Sequence, residues 1–269
     1  MKSSFLVANG ARAHVLRSDS GAGKPPIVMA HGFSDNAACF ASLARVLEPD
    51  YDVVAYDARG HGLSEAPESG YDALSLARDM IAIIEALGLE DPICLGHSLG
   101  GMTVGWLAVL RPELPRAVVI EDALVGGPPR DAIPPEQLEQ GRERIAAMFR
   151  QITDQPVEQL LRFAQKEYAH WPPEDLQPWA ESNAQTRPQA FEAMAQLGFP
   201  DLRERLDEIR CPVLILKADA DEPTREEHRR QIRALRSGRI VHIDGAGHSV
   251  RRDRHPQTVA ALREFLATL

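Results

Sequence analysis

The fold of this chain is decided by one stretch of its sequence, ICLGHSLGGMTVGWLAVL at residues 93–110. Its apolar start is typical of a short buried strand, and its last ten residues have the spacing of a buried helix. Between them lies a Gly-x-Ser-x-Gly turn, Gly96-His97-Ser98-Leu99-Gly100. Between a strand and a helix, this turn strains the backbone of the serine and presents its hydroxyl at the amino end of the helix. Ser98 is therefore the candidate nucleophile.

Short apolar runs continue the pattern on both sides of this stretch. They lie at residues 26–30, 52–56, 92–95, 117–120, 213–216 and 240–243. Helical spacing separates most of them, as in Tyr71 to Leu87. This repetition predicts an α/β fold with a mostly parallel sheet and helices on both faces. Near the start, Asn9-Gly10 between two apolar runs predicts a β-hairpin.

A long insertion interrupts the repetition. Roughly ninety residues with helical spacing separate Ile120 from Val213, far more than an ordinary crossover needs. We predict a helical cap at 124–205, inserted into a core made of 1–123 and 206–269. Cap helices are expected over 135–151, 156–169 and 187–197.

Composition narrows the class of protein and its partners. Hydrophobic residues at 44%, charged residues at 26% and a net charge of −9 indicate a globular protein and disfavour nucleic acid as a partner. The three cysteines have apolar neighbours, which predicts buried thiols. The apolar start of the chain is too short for an export signal, and Gly, His and Ser interrupt residues 93–110. We expect a cytoplasmic protein with no membrane partner.

A serine nucleophile requires a general base, and nine histidines compete for that role. His248 is the candidate, because it lies in a Gly-rich loop after the last apolar run and before a C-terminal helix expected over 255–269. The other candidates lie in strands, in helical or cap segments, or beside the serine: His14, His97, His170, His228 and His242.

The acid of a triad is expected between the serine and the histidine in the chain. Asp221 is the predicted acid, in the loop after the run at 213–216, and Asp219 is the alternative because it lies closer to the strand end. Loops after parallel strands share one edge of a sheet, so Ser98, Asp221 and His248 can meet there. The Asp-x-Asp spacing alone does not complete a metal site, and no metal is predicted.

Two backbone N–H groups are the predicted donors of an oxyanion hole. Leu99 follows the nucleophile directly, and Phe33 lies in the loop after the first parallel run. His31, in the same loop, is expected to be structural.

These residues resemble the α/β-hydrolase superfamily, and the match covers the whole chain except the cap. The resemblance rests on His31-Gly32-Phe33, residues 57–64 (DARGHGLS), residues 96–100, Asp221 and Gly247-His248. It implies a mostly parallel eight-stranded sheet, a cap after the sixth strand and a Ser-Asp-His triad, with residues 57–64 forming a structural turn. The chain departs from the family at Ala218, where relatives commonly carry Gly. A serine nucleophile argues against epoxide hydrolases and haloalkane dehalogenases, which place Asp there.

The sequence thus predicts a serine hydrolase that cleaves a small or medium carboxylic ester, lactone or thioester through an acyl-enzyme. We expect a small-molecule acyl substrate and no cofactor. Carbon–carbon hydrolysis and cofactor-free perhydrolysis are alternatives on the same scaffold, and a slowly hydrolysing ligand receptor is an alternative of another class.

Overall fold

The computed structural model describes residues 1–19, 23–123, 155–187 and 201–269, residue 190, and isolated positions between 134 and 147. It contains an eight-stranded sheet in the order β1-β2-β4-β3-β5-β6-β7-β8. The strands are Lys2–Ala8 (β1), Ala11–Arg17 (β2), Pro26–Ala30 (β3), Asp52–Tyr56 (β4), Ile93–His97 (β5), Ala117–Glu121 (β6), Val213–Lys217 (β7) and Gly238–His242 (β8). β2 runs antiparallel to β1 and β4, and all other neighbours are parallel. The predicted fold class is confirmed.

Helices cover both faces of this sheet. The helices of the described residues are Ala41–Leu47 (α1), Ala73–Ala86 (α2), Leu99–Leu110 (α3), Val157–Glu167 (α4), Pro173–Gln185 (α5), Glu222–Gln231 (α6), Val250–Asp253 (α7) and His255–Leu266 (α8), with 3-10 turns at Ala37–Phe40 and Leu202–Glu208. The C-terminal helix predicted over 255–269 is α8, which ends at Leu266, and the short helix α7 precedes it. None of the described helices has the length and hydrophobicity that crossing a membrane requires.

Local signals explain where several elements begin. Asn9 and Gly10 have φ values of 48° and 78°, as the turn of the predicted hairpin requires. Asp72 begins α2 by accepting hydrogen bonds from the backbone N–H groups of Leu74 and Ser75. The apolar run at 240–243 does not include the first two residues of β8. Gly238 and Arg239 are exposed at the sheet edge and carry no hydrophobic signal.

Two hydrophobic clusters sandwich the sheet, and each central strand supplies both. In β3, Val28 and Ala30 face the cluster formed with α2 and α3, while Ile27 and Met29 face the cluster formed with α1 and α8. Burial on both faces is typical of parallel strands between helices and accounts for their continuous apolar runs.

The segment between β6 and β7 has a small hydrophobic core of its own among its described residues. α4 and α5 pack around Trp171 and Trp179, and the Trp171 ring stacks on Tyr168 with centroids 4.1 Å apart. The helix predicted over 156–169 is α4, whereas those predicted over 135–151 and 187–197 fall largely outside the described residues. The division into core and cap at 124–205 stays a prediction.

Candidate active site

Ser98 lies at the sharp turn between β5 and α3. Its φ of 51° and ψ of −111° are strained for a residue with a side chain, a cost of about 1–3 kcal/mol that the surroundings must offset. Its backbone N–H donates to the carbonyl oxygen of Glu121 at 2.8 Å, and its carbonyl accepts from Met102 at 3.1 Å. Two contacts therefore hold the strained turn in place.

Glycine is required on both sides of this serine. A Cβ on Gly96 would lie 2.0 Å from the carbonyl oxygen of Gly100, and a Cβ on Gly100 would lie 2.0 Å from that of Ala30. The turn is packed so closely against the ends of β3 and β5 that no side chain fits. The sequence prediction of a strand–turn–helix around the serine agrees with this geometry.

His248 lies beside the turn, in the loop between β8 and α7. His97, the residue before the serine, holds this loop through a 3.0 Å hydrogen bond from its Nε2 to the His248 carbonyl oxygen. The two imidazole rings lie 4.9 Å apart. The His248 side chain is 60% exposed, so part of its ring is open to solvent. His97 thus positions the loop of the candidate base.

The acid that pairs with His248 is Asp122. His248 Nδ1 donates to Asp122 Oδ2 at 2.6 Å, and the Asp122 side chain is only 9% exposed. Burial alone would raise the pKa of Asp122, but the hydrogen bond from His248 and the cation of Lys217 hold that pKa well below its usual range. The same hydrogen bond raises the pKa of His248, against the opposing effect of burial.

The prediction that Asp221 orients His248 is corrected by this pairing. Asp221 is exposed at the start of α6, where its Oδ1 accepts from the backbone N–H of Thr224 at 3.0 Å and caps the helix. Asp219, the alternative, accepts from Arg225 at 2.6 Å and from the Gly245 N–H at 2.8 Å. Both carboxylates stabilise the loops after β7 and β8.

The position of β6 in the sheet places Asp122 near the nucleophile. β6 lies between β5 and β7, so the residue that follows β6 reaches the edge of the sheet directly beside Ser98. A usable signal was present, because Glu121 and Asp122 are two consecutive carboxylates at the end of a buried apolar run. Asp122 adopts φ 45°, which turns the chain away from the strand at this residue.

The second oxygen of Asp122 is also held in place. Oδ1 accepts from Lys217 Nζ at 2.7 Å and from the Ala218 N–H at 3.2 Å. Lys217 is the last residue of β7, the neighbour of β6, and its side chain is 14% exposed. The carboxylate is therefore fixed on both oxygens.

The loop proposed to supply an oxyanion donor adjoins the nucleophile. A Cβ on Gly32 would lie 2.5 Å from His97 Nδ1 and 3.5 Å from Ser98 Cβ, so the residue before Phe33 packs on the turn itself. Leu99 is the first residue of α3. Leu99 and the residue before Phe33 thus both adjoin Ser98, and the role of the Phe33 and Leu99 N–H groups as oxyanion donors stays a prediction.

His31 is structural, as expected from the sequence. Its Nδ1 donates to the Gly32 carbonyl at 2.7 Å, and its Nε2 accepts from the Ala58 N–H at 2.9 Å. Burial lowers its pKa, which favours the neutral ring that this arrangement needs. The turn at 57–64 is structural too, since Asp57 accepts from the N–H groups of Ala37 and Leu63.

A buried ionic network behind the site links three of its loops. Arg251 donates from its backbone N–H and Nη1 to the Glu121 carboxylate at 2.7 and 3.0 Å. Its Nη2 donates to Asp35 at 3.2 Å, and Arg252 donates to the other oxygen of Asp35 at 3.1 Å. Both arginine side chains are at most 2% exposed. The network fixes the Phe33 loop and the His248 loop to the end of β6.

Trp171, which lies between α4 and α5, is tied to the same loop through Asp253. Asp253 accepts from Trp171 Nε1 at 2.7 Å and from the backbone N–H of Gly247, the residue before His248, at 2.7 Å. Among the residues that the structure describes, no group of three or more His, Cys, Asp or Glu side chains is placed to hold a metal ion.

A family model described as "Alpha/beta hydrolase family" matches residues 27–262 of this chain. The chain belongs to the alpha/beta hydrolase family. This hydrolase is 29% identical to the 2-(acetamidomethylene)succinate hydrolase of Mesorhizobium japonicum, over 90% of this chain and 88% of that protein. It is 30% identical to 3-oxoadipate enol-lactonase 2 of Acinetobacter baylyi, over 75% of this chain and 73% of that one.

Solved structures confirm the resemblance in three dimensions. The crystal structure of an E-2-(acetamidomethylene)succinate hydrolase superposes with a TM-score of 0.79 at 26% identity and covers 99% of both chains. With the eight-stranded sheet, these matches confirm the family expected from the sequence and identify the protein as a hydrolase.

Proposed function

We propose that this hydrolase cleaves a small carboxylic acyl substrate, an ester, lactone or thioester, through an acyl-enzyme on Ser98. The observation that carries the proposal is the 2.6 Å hydrogen bond between His248 and the buried Asp122, in a loop that His97 ties to the serine turn. A serine needs such an oriented base to act as a nucleophile at neutral pH.

In the first half-reaction, Ser98 Oγ attacks the acyl carbon and His248 Nε2 accepts the hydroxyl proton. Asp122 holds Nδ1–H, which leaves Nε2 unprotonated for this step, and it stabilises the imidazolium that forms. The N–H groups of Phe33 and Leu99 stabilise the oxyanion, each worth about 10²–10³ in kcat. The carbon–leaving-group bond then breaks, and His248 returns the proton to the leaving group.

In the second half-reaction, water attacks the acyl-enzyme. His248 Nε2 accepts a proton from this water, and the tetrahedral intermediate collapses with cleavage of the bond between the acyl carbon and Ser98 Oγ. The imidazolium returns its proton to Ser98 Oγ, the acid is released, and the site regains its starting state. The step consumes one water and needs no redox partner.

Hydrolysis of an N-acyl bond is the second candidate function. Two relatives that align over most of this chain have names that point to it: the 2-(acetamidomethylene)succinate hydrolase above and the N-formylmaleamate deformylase of Pseudomonas putida, 28% identical over 96% of this chain and 94% of that one. The same acyl-enzyme would form, with an amine or enamine nitrogen as the leaving group in place of an oxygen or sulfur.

The nucleophile is tested by covalent labelling. A fluorophosphonate should modify the native enzyme on Ser98, and p-nitrophenyl acetate should be hydrolysed. Ser98→Ala should lose both, whereas Ser249→Ala, a matched control in the His248 loop, should keep the label. Retained esterase activity in Ser98→Ala would refute the assignment.

A substrate panel separates the remaining candidates. It should contain acyl esters graded by chain length, lactones, thioesters, N-acyl enamines carrying carboxylates, a dienoic diketone, and peracid formation from hydrogen peroxide. The largest kcat/KM identifies the substrate class. Tight binding of a ligand without turnover of any compound would instead support a receptor.

A further inference from the structure

The second carboxylate oxygen of Asp122 is bound by a cation. Asp122 Oδ2 is occupied by His248, and Oδ1 accepts from Lys217 Nζ at 2.7 Å. The ammonium reaches this point because Lys217 ends β7 while Asp122 follows β6, and Leu216 lies opposite Glu121 in the parallel register. Sheet geometry therefore places a cation directly behind the triad acid.

The burial of Lys217 strengthens the electrostatic interaction between its ammonium and Asp122. Its side chain is 14% exposed and that of Asp122 is 9% exposed, so water screens the pair poorly. Removing a lysine from water is costly, and the ion pair must offset this cost. An exposed lysine paired with a carboxylate at the surface would contribute little.

Two histidines face Lys217 from the neighbouring elements. His242 of β8 lies opposite Lys217 in the register, and its ring stacks on His228 of α6 with a 2.9 Å hydrogen bond between them. Burial, the neighbouring histidine and nearby cations lower the pKa of His242 to about 4. The lowered pKa favours the neutral ring of His242, and Lys217 is the cation in direct contact with Asp122 Oδ1.

We propose that Lys217 is a positioning residue of the triad, which fixes the Asp122 carboxylate against His248 and counters part of its negative charge. The inference rests on the proposed function of Ser98, His248 and Asp122. A carboxylate held on both oxygens cannot rotate away from the imidazole, so His248 keeps one ring orientation through the catalytic cycle.

The charge of Lys217 acts on His248 in a defined direction. Asp122 and Glu121 favour the imidazolium and raise the pKa of His248, whereas burial and Lys217 oppose it. Other charged or titratable groups among the described residues around this loop include His97 on β5, Asp35 in the loop after β3, Arg251 and Asp253 on α7, and His170, which pairs with Asp253. Loss of Lys217 alone should therefore raise the pKa of His248 and move the acid limb of activity to higher pH.

The experiment compares Lys217→Met, Lys217→Gln and Lys217→Arg with the native enzyme. Lys217→Met removes both the charge and the hydrogen bond, Lys217→Gln can keep a hydrogen bond without charge, and Lys217→Arg keeps the charge. Lys2→Met is the matched control, because Lys2 is 77% exposed and paired with Asp19 at the opposite edge of the sheet. The readouts are kcat and KM for p-nitrophenyl acetate across pH, and the imidazole titration of His248 followed by NMR.

We expect Lys217→Met to raise the acid-limb pKa by about one unit and to lower kcat with little change in KM. Lys217→Gln should show the same shift with a smaller loss of kcat, and Lys217→Arg and Lys2→Met should keep the native profile. An unchanged acid limb in a folded neutral variant would overturn the proposal. Failure of both neutral variants to fold would overturn it too, since Lys217 would then serve stability.

The labelling experiment keeps this inference separate from the proposed function. If fluorophosphonate does not modify Ser98 in the native enzyme, the proposed function fails. If the native enzyme is labelled and active while the neutral Lys217 variants keep its pH profile, only the role of Lys217 fails.

Discussion

Replacing Asp122 by Asn should lower kcat by about three orders of magnitude, while the same change at Asp221 should leave kcat intact. The Asp122→Asn enzyme would lose the negative charge beside His248, and its amide could present an N–H to Nδ1, which favours the wrong tautomer of the base. The Asp221→Asn enzyme would still have α6 capped, because Asn is as good an N-cap as Asp. Both substitutions replace Asp by Asn, so a difference in kcat between them reflects only the position of the residue in the structure.

The magnitude follows from the geometry of the pair. His248 Nδ1 and Asp122 Oδ2 are 2.6 Å apart, and the carboxylate is 9% exposed. Unit charges about 4 Å apart attract by about 4 kcal/mol at an effective dielectric constant near 20, which suits a partly buried pair. This attraction exists only once the imidazolium has formed. At about 1.4 kcal/mol per factor of ten, its loss slows the reaction roughly a thousandfold.

Initial rates of p-nitrophenyl acetate hydrolysis at pH 8 measure both variants, with circular dichroism to verify that each is folded. Fluorophosphonate labelling rates give the acylation step alone and should fall in parallel for Asp122→Asn. An active Asp122→Asn enzyme together with an inactive Asp221→Asn enzyme would show that the acid belongs to the loop after β7. The assignment of Asp122 would then be wrong.

Three further predictions concern the turn, the ionic network and pH. Gly100→Ala should prevent folding or lower the melting temperature sharply, because its Cβ would lie 2.0 Å from the Ala30 carbonyl oxygen. Gly141→Ala is the control, because the space around Gly141 is open, and it should melt as the native protein does. Equal melting temperatures of the two variants would contradict the packing argument. Arg251→Met leaves Glu121 buried without its cation and should lower the free energy of unfolding in urea by about 3–5 kcal/mol. A decrease below about 1 kcal/mol would contradict this prediction. His248 acts as a base only when neutral, and its hydrogen bond to Asp122 raises its pKa. We therefore expect kcat/KM to fall as the pH drops, with a midpoint above the usual histidine pKa of about 6.5. A midpoint below about 6 would contradict this.

Much of the site could be predicted because its signals are local. The Gly-x-Ser-x-Gly turn, the strand before it and the helix after it occupy one continuous stretch, and His248 follows the last strand in a Gly-rich loop. The identity of the acid is not a local property. Asp122 and Asp221 both follow buried strands at the same edge of the sheet, and only the three-dimensional path of the loops decides which of them meets His248.

The ionic network was hidden for a related reason. Arg251 and Arg252 stand in a charged sequence, RRDR, that ordinarily indicates a solvated surface. In the fold they are among the most buried side chains, because Asp35 and Glu121 supply carboxylates from distant parts of the chain. Burial of a charge depends on partners that sequence spacing does not reveal.

The separation of these partners has a consequence for biosynthesis. Asp35 and Arg252 are 217 positions apart, and Glu121 and Arg251 are 130 apart. A nascent chain with residues 251 and 252 still inside the ribosome would have made the nucleophile turn but would lack the anchors that fix the surrounding loops. Activity should therefore arise only after Arg251 and Arg252 have left the ribosome and bound their carboxylates.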